Sequence, residues 1–480
     1  MLGSHRKDVL LGSIQPDFLG YPRYFLTPEE QGYHATIWGS TGSGKSFLLL
    51  NVFTQLFLQG KGVGLIDPHN DLSIDVLRQL IHKGVFKDQK AYKRLVYIDW
   101  GSRLITPFNV LADADDVEYQ PELLDLKPAT ATGKVLDMAY RVWPELEGSA
   151  PAFKQYFRAA MLVLIANKLP LGLLHTFLTD ARFRADCLQR VADERILRTW
   201  ESVDAMKEAD RMAMIGSAIR RADDMVADPI TKYAFCSPDN IVKHREWMDN
   251  KTCFIHNLGK IPDPQTRHIL GALLMVDIEQ ALKSRIDLAY NDRPPMTVLV
   301  DEWQLFADQE KTIAHTLSET RKYGGRLYLA TQSLSVVGSN RLQGALEQCH
   351  LNIVMRLGND SAQKQASNIA TYDYTAVKEE APTAGSHNMF TGLFEQEQQW
   401  VDELKNMKKR LAYVKVTAKP AVQIKTAEVT NTKVSQQQLD EVITTYRQLY
   451  QQTVPQATAR MQSIAMPNKR KPAYESLYKK

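Results

Sequence analysis

The chain has 480 residues, of which 44% are hydrophobic and 24% charged, and its formal net charge is +4. These values are close to those of average soluble proteins and exclude a disordered or fibrous chain, while so small a charge leaves a nucleic-acid partner open. The four cysteines are scattered without a C-x-x-C pair, which argues against a disulfide framework or a zinc ribbon. The most apolar stretch, 159–178, contains Asn167, Lys168 and Pro170, so we expect no intrinsic membrane span.

Up to residue 110 the hydrophobic pattern alternates between strand and helix. The predicted strands lie at 9–11, 35–38, 62–66 and 94–100, and the predicted helices at 47–57 and 72–81. This alternation is typical of an α/β domain with a mostly parallel central sheet.

The strand pattern disappears at 111–250, where Ala-, Leu-, Met- and Arg-rich segments recur at helical spacing, and it returns at 251–418. We therefore predict an α/β domain in two parts, 1–110 and 251–418, interrupted by an inserted all-α domain at 111–250. Residues 419–480 are polar and end in a basic stretch, and we expect them to form a flexible tail.

The residues Gly39-Ser40-Thr41-Gly42-Ser43-Gly44-Lys45-Ser46 match the P-loop pattern G-x-x-x-x-G-K-S, between a predicted strand and a predicted helix. Glycines let successive backbone N–H groups face phosphate oxygens, and the helix adds the positive end of its dipole. We expect Lys45 to meet the β and γ phosphates of ATP and Ser46 to hold Mg²⁺. The alternative, a glycine-rich turn that only caps a helix, is disfavoured by the complete pattern in this context.

Two acidic residues, Asp301 and Glu302, follow the apolar run 297–300. Such a run is typical of a buried parallel strand, and ligands of α/β sheets gather at the carboxyl ends of strands. We expect Asp301 to hold Mg²⁺ and Glu302 to act as the catalytic base. Acidic residues that merely favour a helix dipole are the alternative, and the presence of the P-loop favours the functional interpretation.

Gln332 ends the next predicted strand, 327–331, where a polar side chain could reach the γ-phosphate or the attacking water. We interpret it as a sensor of the γ-phosphate, although polar residues at strand ends are more often turn residues.

The chain resembles the ATPases of conjugative DNA transfer, the type IV secretion coupling proteins, and the related HerA-like and FtsK-like translocases. Besides the P-loop and the Asp301 block, the resemblance rests on Asp67-Pro68-His69, on Pro107-Phe108-Asn109, on the spacing from Arg321 to Gln332, and on the block 352–357. It implies a RecA-like P-loop NTPase fold and a hexameric ring, with ATP at subunit interfaces and DNA in the central pore.

The resemblance also suggests that Arg321 acts across the subunit interface as an arginine finger. Arg321 closes a predicted helix in which Ile313 and Leu317 recur at i, i+4 spacing, and Gly324-Gly325 then turns the chain toward Gln332. A solvated arginine at a helix end is the alternative. Together with Arg356, expected to contact nucleotide within its own subunit, the residues predicted to bind ATP are Gly39, Thr41, Gly42, Ser43, Gly44, Lys45, Ser46 and Phe47.

The chain departs from the family at its start, because membrane-bound coupling proteins begin with transmembrane helices and HerA-like proteins with a small β-barrel. Here the P-loop begins at residue 39, so we expect a cytoplasmic protein that reaches the inner membrane, if at all, through secretion-channel or relaxase-type partner proteins.

The predicted function is that of an ATP-hydrolysing DNA translocase. The main alternative is a secretion-channel or assembly ATPase of the same superfamily that does not move DNA. A nucleotide-dependent scaffold is disfavoured by the presence of Glu302 and Gln332, which hydrolysis needs and a scaffold does not.

Overall fold

The computed structural model describes residues 7–15, 22–112, 126–146, 151–306, 316–332, 346, 349–375, 377–379, 389–429 and 432–462. It divides into two compact units. The first contains Met1–Val96, Trp247–Ile255 and Leu282–Leu439, and the second contains Tyr97–Glu246, His256–Ala281 and Asp440–Lys480. In the described part of the chain, no helix combines the length and the apolar character that a membrane crossing requires.

Eleven of the strands found in the described residues belong to one sheet. In chain order they are β1 (Val9–Ile14), β2 (Arg23–Leu26), β3 (Ala35–Trp38), β4 (Gly62–Asp67), β5 (Leu95–Asp99), β6 (Cys253–Asn257), β7 (Met296–Val300), β8 (Gly325–Thr331), β9 (Leu351–Val354), β12 (Leu411–Val416) and β13 (Val422–Thr426), while β10 (Val377–Glu379) pairs only with β11 (Met389–Phe390). The order across the sheet is β2-β1-β13-β12-β9-β3-β8-β7-β4-β6-β5.

The centre of this sheet is parallel. Strand β3 pairs in parallel with both β8 and β9, and β7 pairs in parallel with both β8 and β4. Every residue of β3, β4 and β7 is buried, as expected for strands covered on both faces. Strands β12, β13, β1 and β2 continue the sheet in antiparallel fashion, and in β12 buried and half-buried residues alternate.

Helices of the first unit include α1 (Lys45–Leu58), α2 (Asp71–His82) and α3 (Lys90–Arg94). Helix α1 packs against β1, β4 and α2, and most of its residues are buried because its apolar side chains are distributed around the helix. Two later helices of this unit, α13 (Asn359–Ile369) and α14 (Leu393–Asn406), pack against each other.

Helices dominate the second unit. The helices from this part of the chain onward are α4 (Leu126–Val142), α5 (Pro151–Ala166), α6 (Leu174–Thr179), α7 (Ala181–Leu188), α8 (Glu194–Ala205), α9 (Glu208–Val226), α10 (Pro229–Phe235), α11 (His244–Asp249), α12 (Pro264–Lys283), α13 (Asn359–Ile369), α14 (Leu393–Asn406), α15 (Gln436–Tyr450) and α16 (Val454–Gln462). Helix α5 packs against α4, α6 and α9. Aspartates 180, 193 and 228 start α7, α8 and α10 by accepting backbone N–H bonds.

The predicted strand and helix alternation agrees with these elements, and helices fill the described part of the stretch predicted as an all-α insertion. The expectation of a flexible tail after residue 418 is wrong for most of that segment, because β13, α15 and α16 lie in it. The basic residues at 469–480 lie outside the described residues. Of the block 352–357, on which the resemblance partly rests, only the residues up to Val354 belong to a strand, β9.

Candidate functional site

The P-loop lies at the carboxyl end of β3, between the ends of β8 and β9. Its first residues are tied to both neighbours: Gly39 N–H donates to the carbonyl of Thr331 at 3.2 Å, and Ser40 N–H donates to the carbonyl of Arg356 at 2.8 Å. Helix α1 then begins at Lys45. The loop is therefore held by the backbone of the strands on either side.

The structure explains why two positions of the loop are glycine. A Cβ at Gly39 would lie 2.4 Å from Ser43 Oγ and 3.1 Å from Met355 Cβ, so a side chain there would displace the loop. Gly44 has a φ of 117°, a conformation that other residues rarely adopt. The curled backbone that phosphate binding needs depends on these two positions.

Lys45 is buried, and its ammonium group is held inside the loop. Nζ donates to the carbonyl oxygen of Gly39 at 2.5 Å and lies 3.5 Å from Oε1 of Glu302. The two residues are far apart in the chain and were predicted to belong to one site. The structure brings them together.

Glu302 follows β7 directly after Asp301 and is also buried. Its φ of 44° lies in the left-handed region, which costs a non-glycine residue about 1 kcal/mol or more. Its Oε2 accepts a hydrogen bond from Gln304 Nε2 at 2.6 Å. The carboxylate is therefore fixed by contacts on both oxygens, in a backbone conformation that turns the chain sharply after the strand.

Gln332 joins the P-loop to the carboxylate of Glu302. Its Nε2 donates to Oε1 of Glu302 at 2.8 Å, and its Oε1 accepts from the hydroxyl of Thr41 at 2.8 Å. The amide therefore contacts Glu302 and the loop at once, which is the position from which it could respond to a terminal phosphate.

Asp301 is surrounded by negative charge. Burial, and after it the nearby charges of Glu302 and Asp67, raise the pKa of its carboxyl to about 7, while Lys45 opposes this rise to a smaller extent. Asp67 ends β4, and its two oxygens accept backbone N–H bonds from His69 and Ser73, so it is fixed at the start of α2. The carboxylates of Asp67, Asp301 and Glu302 thus share one edge of the sheet with Lys45.

This arrangement suits a divalent cation. Oδ1 of Asp301 is buried and has no hydrogen-bond partner among the described residues, and oxygen ligands are those that Mg²⁺ prefers. Ser46, the second predicted ligand, is exposed at the start of α1. In the described residues, no three His, Cys, Asp or Glu side chains converge on a metal-sized space. Mg²⁺ bound by one carboxylate and one hydroxyl would take its other ligands from phosphates and water.

A polar cleft of about 470 Å³ opens beside the loop. It is lined by Ser40, Thr41, Gln332, Gly358, Asn359, Asp360 and Ser361. At the start of α1 the side chain of Phe47 is 42% exposed. Thr41, Ser46 and Phe47 are thus accessible to a ligand, while Ser43, Gly44 and Lys45 are buried.

The two predicted arginines lie differently. The carbonyl of Arg356 binds the P-loop, as described above, and its side chain is half-buried. Arg321 is exposed at the opposite edge of the sheet, before β8, and its guanidinium lies 4.7 Å from the ring centroid of Tyr33. Since β8 has seven residues, and each adds about 3.3 Å, roughly 20 Å separate Arg321 from the loop of its own chain.

The local setting of Arg321 corrects one expectation. The prediction placed it near a buried stripe with Ile313 and Leu317; Leu317 is buried, Arg321 is exposed in a 3₁₀ turn, and Ile313 lies outside the described residues. The expected turn is present, because Gly324 has a φ of 81° and precedes β8.

The sequence interpretation left three neighbours of the site out of the predicted residue set. Asp67 carried a signal, since it too ends a buried strand. Gln304 had only its closeness to Glu302. Arg410 carried no signal in the sequence, because only the tertiary structure brings a residue so distant in the chain to the P-loop. There its N–H donates to the carbonyl of Ser43 at 2.8 Å.

Comparison with solved structures gives the same architecture. The plasmid coupling protein TrwB in complex with ADP and Mg²⁺ matches with a TM-score of 0.57 and 14% identity, covering 89% of this chain and 97% of TrwB. VirB4 of Thermoanaerobacter pseudethanolicus matches with a TM-score of 0.54 and 13% identity, covering 88% of this chain and 96% of VirB4. TrwB in complex with a non-hydrolysable ATP analogue matches with a TM-score of 0.54 and 15% identity, over 85% and 89% of the two chains.

No protein-family model and no curated protein sequence matches the chain. The likeness therefore concerns the fold. It confirms the predicted class, a RecA-like P-loop α/β fold with a mostly parallel sheet, and it agrees with the resemblance to conjugative coupling ATPases found in the sequence.

Proposed function

We propose that this chain is a Mg²⁺-dependent ATPase that assembles into hexamers and drives DNA translocation, like the conjugative coupling proteins. The observation that carries the ATPase assignment is the connected set Thr41, Gln332, Glu302 and Lys45, in which each side chain contacts the next. A turn that only caps a helix would need none of these contacts. The fold shared with nucleotide-bound TrwB supports the same conclusion.

The positions of these groups suggest how each contributes to hydrolysis. The ammonium group of Lys45 contacts the Gly39 carbonyl and the Glu302 carboxylate. A triphosphate bound in the loop would attract this group to its β and γ phosphates. Glu302 is then free to accept a proton from the attacking water. Gln332 can orient that water and detect the γ-phosphate, because it contacts both Glu302 and Thr41.

Magnesium would be held by Asp301 and Ser46, and its charge would offset that of the transferring phosphoryl group. Two observations support this role: Oδ1 of Asp301 has no hydrogen-bond partner in the described part of the chain, and negative charge surrounds it. The remaining residues of the ATP site are those predicted from the sequence: Gly39, Thr41, Gly42, Ser43, Gly44, Phe47 and Arg356.

Arg321 lies too far from its own P-loop to act there, and this supports a role in trans. An exposed guanidinium at the amino edge of the sheet can meet the carboxyl edge of another copy when subunits pack head to tail, and such packing gives a ring when the rotation between subunits closes. Arg321 would then stabilise charge at the neighbour's γ-phosphate. In this proposal residues 1–110 and 251–418 form the motor, and 111–250 form the insertion.

The translocation assignment is tested by the dependence of ATP turnover on DNA. We expect single- or double-stranded DNA to raise the ATPase rate severalfold at low salt, and the stimulation to fall steeply as salt is added, because contacts to phosphates release counterions. Glu302→Gln protein serves as the control for contaminating ATPases. Turnover that ignores DNA at every salt concentration would instead support a secretion-channel or assembly ATPase.

The trans role is tested by mixing two inactive variants. Arg321→Ala subunits should bind ATP but hydrolyse it slowly, and so should Glu302→Gln subunits. In mixed rings some interfaces join an intact Glu302 to an intact Arg321, so hydrolysis should partly return. Native mass spectrometry would establish that mixed hexamers form. Mixed rings without activity, or an Arg321→Ala protein with the parental rate, would refute the assignment.

The cellular setting follows from the same proposal. A coupling ATPase works in the cytoplasm against a secretion channel at the inner membrane, and it receives DNA from a relaxase-type partner. Copurification of the chain with such proteins would support this setting if it persists after nuclease treatment, because the contact is then not bridged by DNA.

A further inference from the structure

Arg410 lies against the P-loop and is held in an unusual backbone conformation. Its φ is 70°, a left-handed value that costs a non-glycine residue about 1 kcal/mol or more. The residue lies in the turn between α14 and β12, and its N–H donates to the carbonyl of Ser43 at 2.8 Å. Strained positions often mark functional sites, and this one touches the phosphate-binding loop directly.

The side chain of Arg410 covers the loop on the same side. A Cβ placed on Gly44 would lie 3.3 Å from Cγ of Arg410, so the arginine stem packs on the loop where glycine leaves room. The guanidinium then continues to β13, where Nη2 donates to the carbonyl of Thr426 at 2.9 Å. Thr426 N–H in turn donates to the carbonyl of Arg410 at 2.8 Å.

The positive charge of this guanidinium is only weakly compensated. An oxygen of the Glu428 carboxylate lies 3.6 Å from Nη1, and that side chain is 78% exposed. Its other contacts are to a carbonyl and, at 3.5 Å, to the hydroxyl of Thr426, both uncharged. With 23% of the arginine side chain exposed, the guanidinium keeps donors and charge for an anion beside the loop.

Sheet order indicates which part of a nucleotide lies there. Glu302 and Gln332 follow β7 and β8, on one side of the P-loop strand β3, whereas β9 and β12 lie on the other side. Because β12 runs antiparallel to β9, its first residues reach the same edge as the P-loop. If Glu302 and Gln332 mark the γ-phosphate, the α-phosphate and ribose extend toward the turn that holds Arg410.

From this geometry we propose that Arg410 is a positioning residue of the nucleotide site, which fixes the P-loop at Ser43 and Gly44 and contacts the α-phosphate and ribose end of ATP. The inference rests on the proposed ATPase function. It adds a residue that recognises ATP and ADP equally, since both share this end. Arg410 therefore contributes to binding and not to the chemical step.

The test compares Arg410→Gly, Arg410→Lys and Arg410→Gln. Glycine accepts the left-handed backbone and keeps the N–H bond to Ser43, so Arg410→Gly removes only the side chain. We expect the Kd values of fluorescent ATP and ADP analogues to rise about tenfold each, while kcat at saturating ATP stays within about twofold. Arg410→Lys should recover part of the affinity, and Arg410→Gln should not.

Two control variants separate this role from a structural one. Lys409→Ala changes an exposed cation in the same turn and should leave both Kd values unchanged. Lys168→Gly removes the backbone strain of another left-handed residue, which has a φ of 55°. Its melting temperature shows the effect of removing such strain at a position away from the P-loop.

The outcomes are distinct. Unchanged affinity in Arg410→Gly would overturn the proposal, as would equal affinities in the lysine and glutamine variants. A loss confined to ATP, with ADP binding preserved, would move the contact to the γ-phosphate and refute the assignment made here. If Arg410→Gly proves unstable, the lysine and glutamine pair still decides. Absence of nucleotide binding by the parental protein would refute the proposed function itself.

Discussion

If Asp301 holds Mg²⁺ as proposed, its buried carboxyl makes metal binding depend on pH, and the structure gives the direction of that dependence. Its pKa is raised to about 7, first by burial and then by the charges of Glu302 and Asp67. Mg²⁺ binds the ionised carboxylate, so protons compete with the metal below that pH. With a pKa of about 7, roughly nine tenths of the carboxyls are ionised at pH 8 and roughly one tenth at pH 6.

The Mg²⁺ concentration needed for half-maximal ATP-analogue binding should therefore rise about tenfold from pH 8 to pH 6, which corresponds to about 1.4 kcal/mol. In Glu302→Gln, one of the two negative neighbours is neutral, so the pKa of Asp301 falls and the same pH change should have a smaller effect. Burial remains, so the dependence should not vanish.

The assay is a Mg²⁺ titration of a fluorescent, non-hydrolysable ATP analogue at several pH values. Because the terminal phosphate also titrates in this range, Asp301→Asn provides the baseline: its remaining pH dependence belongs to the nucleotide. If the parental protein and Asp301→Asn show the same pH dependence, Asp301 does not bind the metal. A steeper dependence in Glu302→Gln would refute the electrostatic argument.

Three further predictions follow from single side chains. Lys45→Ala should lower kcat about a hundredfold or more with a far-ultraviolet CD spectrum like the parent's, and an unchanged rate would remove the lysine from the site. Glu302→Gln should bind ATP within about threefold of the parental Kd but lose about a hundredfold in kcat, and loss of binding instead would mean that its role is misassigned. Burial lowers the pKa of His256 well below its usual value, so an unfolded chain binds the proton more readily, and the melting temperature should fall as the pH drops below about 6.5. His256→Gln should show a smaller fall, and an equal one would assign the acid sensitivity to other groups.

The imidazole of His256 is one part of a buried network in the second unit. Its Nδ1 accepts from Trp100 Nε1 at 3.2 Å, so in the neutral ring Nε2 carries the proton and faces His244 Nε2 at 2.9 Å. Nδ1 of His244 then donates to Asp277, at 2.6 Å, and Lys134 donates to the other oxygen of that carboxylate. In this arrangement the neutral ring of His256 uses both of its nitrogens in hydrogen bonds, which agrees with the lowered pKa of this buried imidazole.

The sequence was sufficient where a function depends on neighbours in the chain. The P-loop and the run before Asp301 are contiguous, and buried strands with polar residues at their carboxyl ends leave a readable pattern. The P-loop and Asp301 lie close together because the sheet is parallel, and the carboxyl ends of parallel strands share an edge. Lys45 and Glu302 could therefore be predicted as partners, although only the structure gives the 3.5 Å between them.

The missed elements differ in kind. Helix α15 was hidden by its polar composition, yet Leu439, Val442, Ile443 and Tyr446 are buried at i, i+3, i+4 and i+7, so the pattern was present in the sequence. Arg410 left no such pattern, because its contact depends on how the antiparallel strands close against β9. Neither composition nor spacing encodes a backbone hydrogen bond between a distant turn and the P-loop.

The two ends of β8 connect these observations. Gln332 follows one end, where it contacts Glu302 and Thr41, and the turn that holds Arg321 precedes the other. The strand between them is hydrogen-bonded to β3 on one side and to β7 on the other, so it cannot shift alone without breaking both ladders. If loss of a γ-phosphate contact at Gln332 moves Arg321, it must therefore do so by moving the sheet together with its P-loop. In the proposed head-to-tail ring, Arg321 of each subunit would therefore follow the position of the whole sheet. The sheet, and not a flexible loop, would then be the element that couples neighbouring sites.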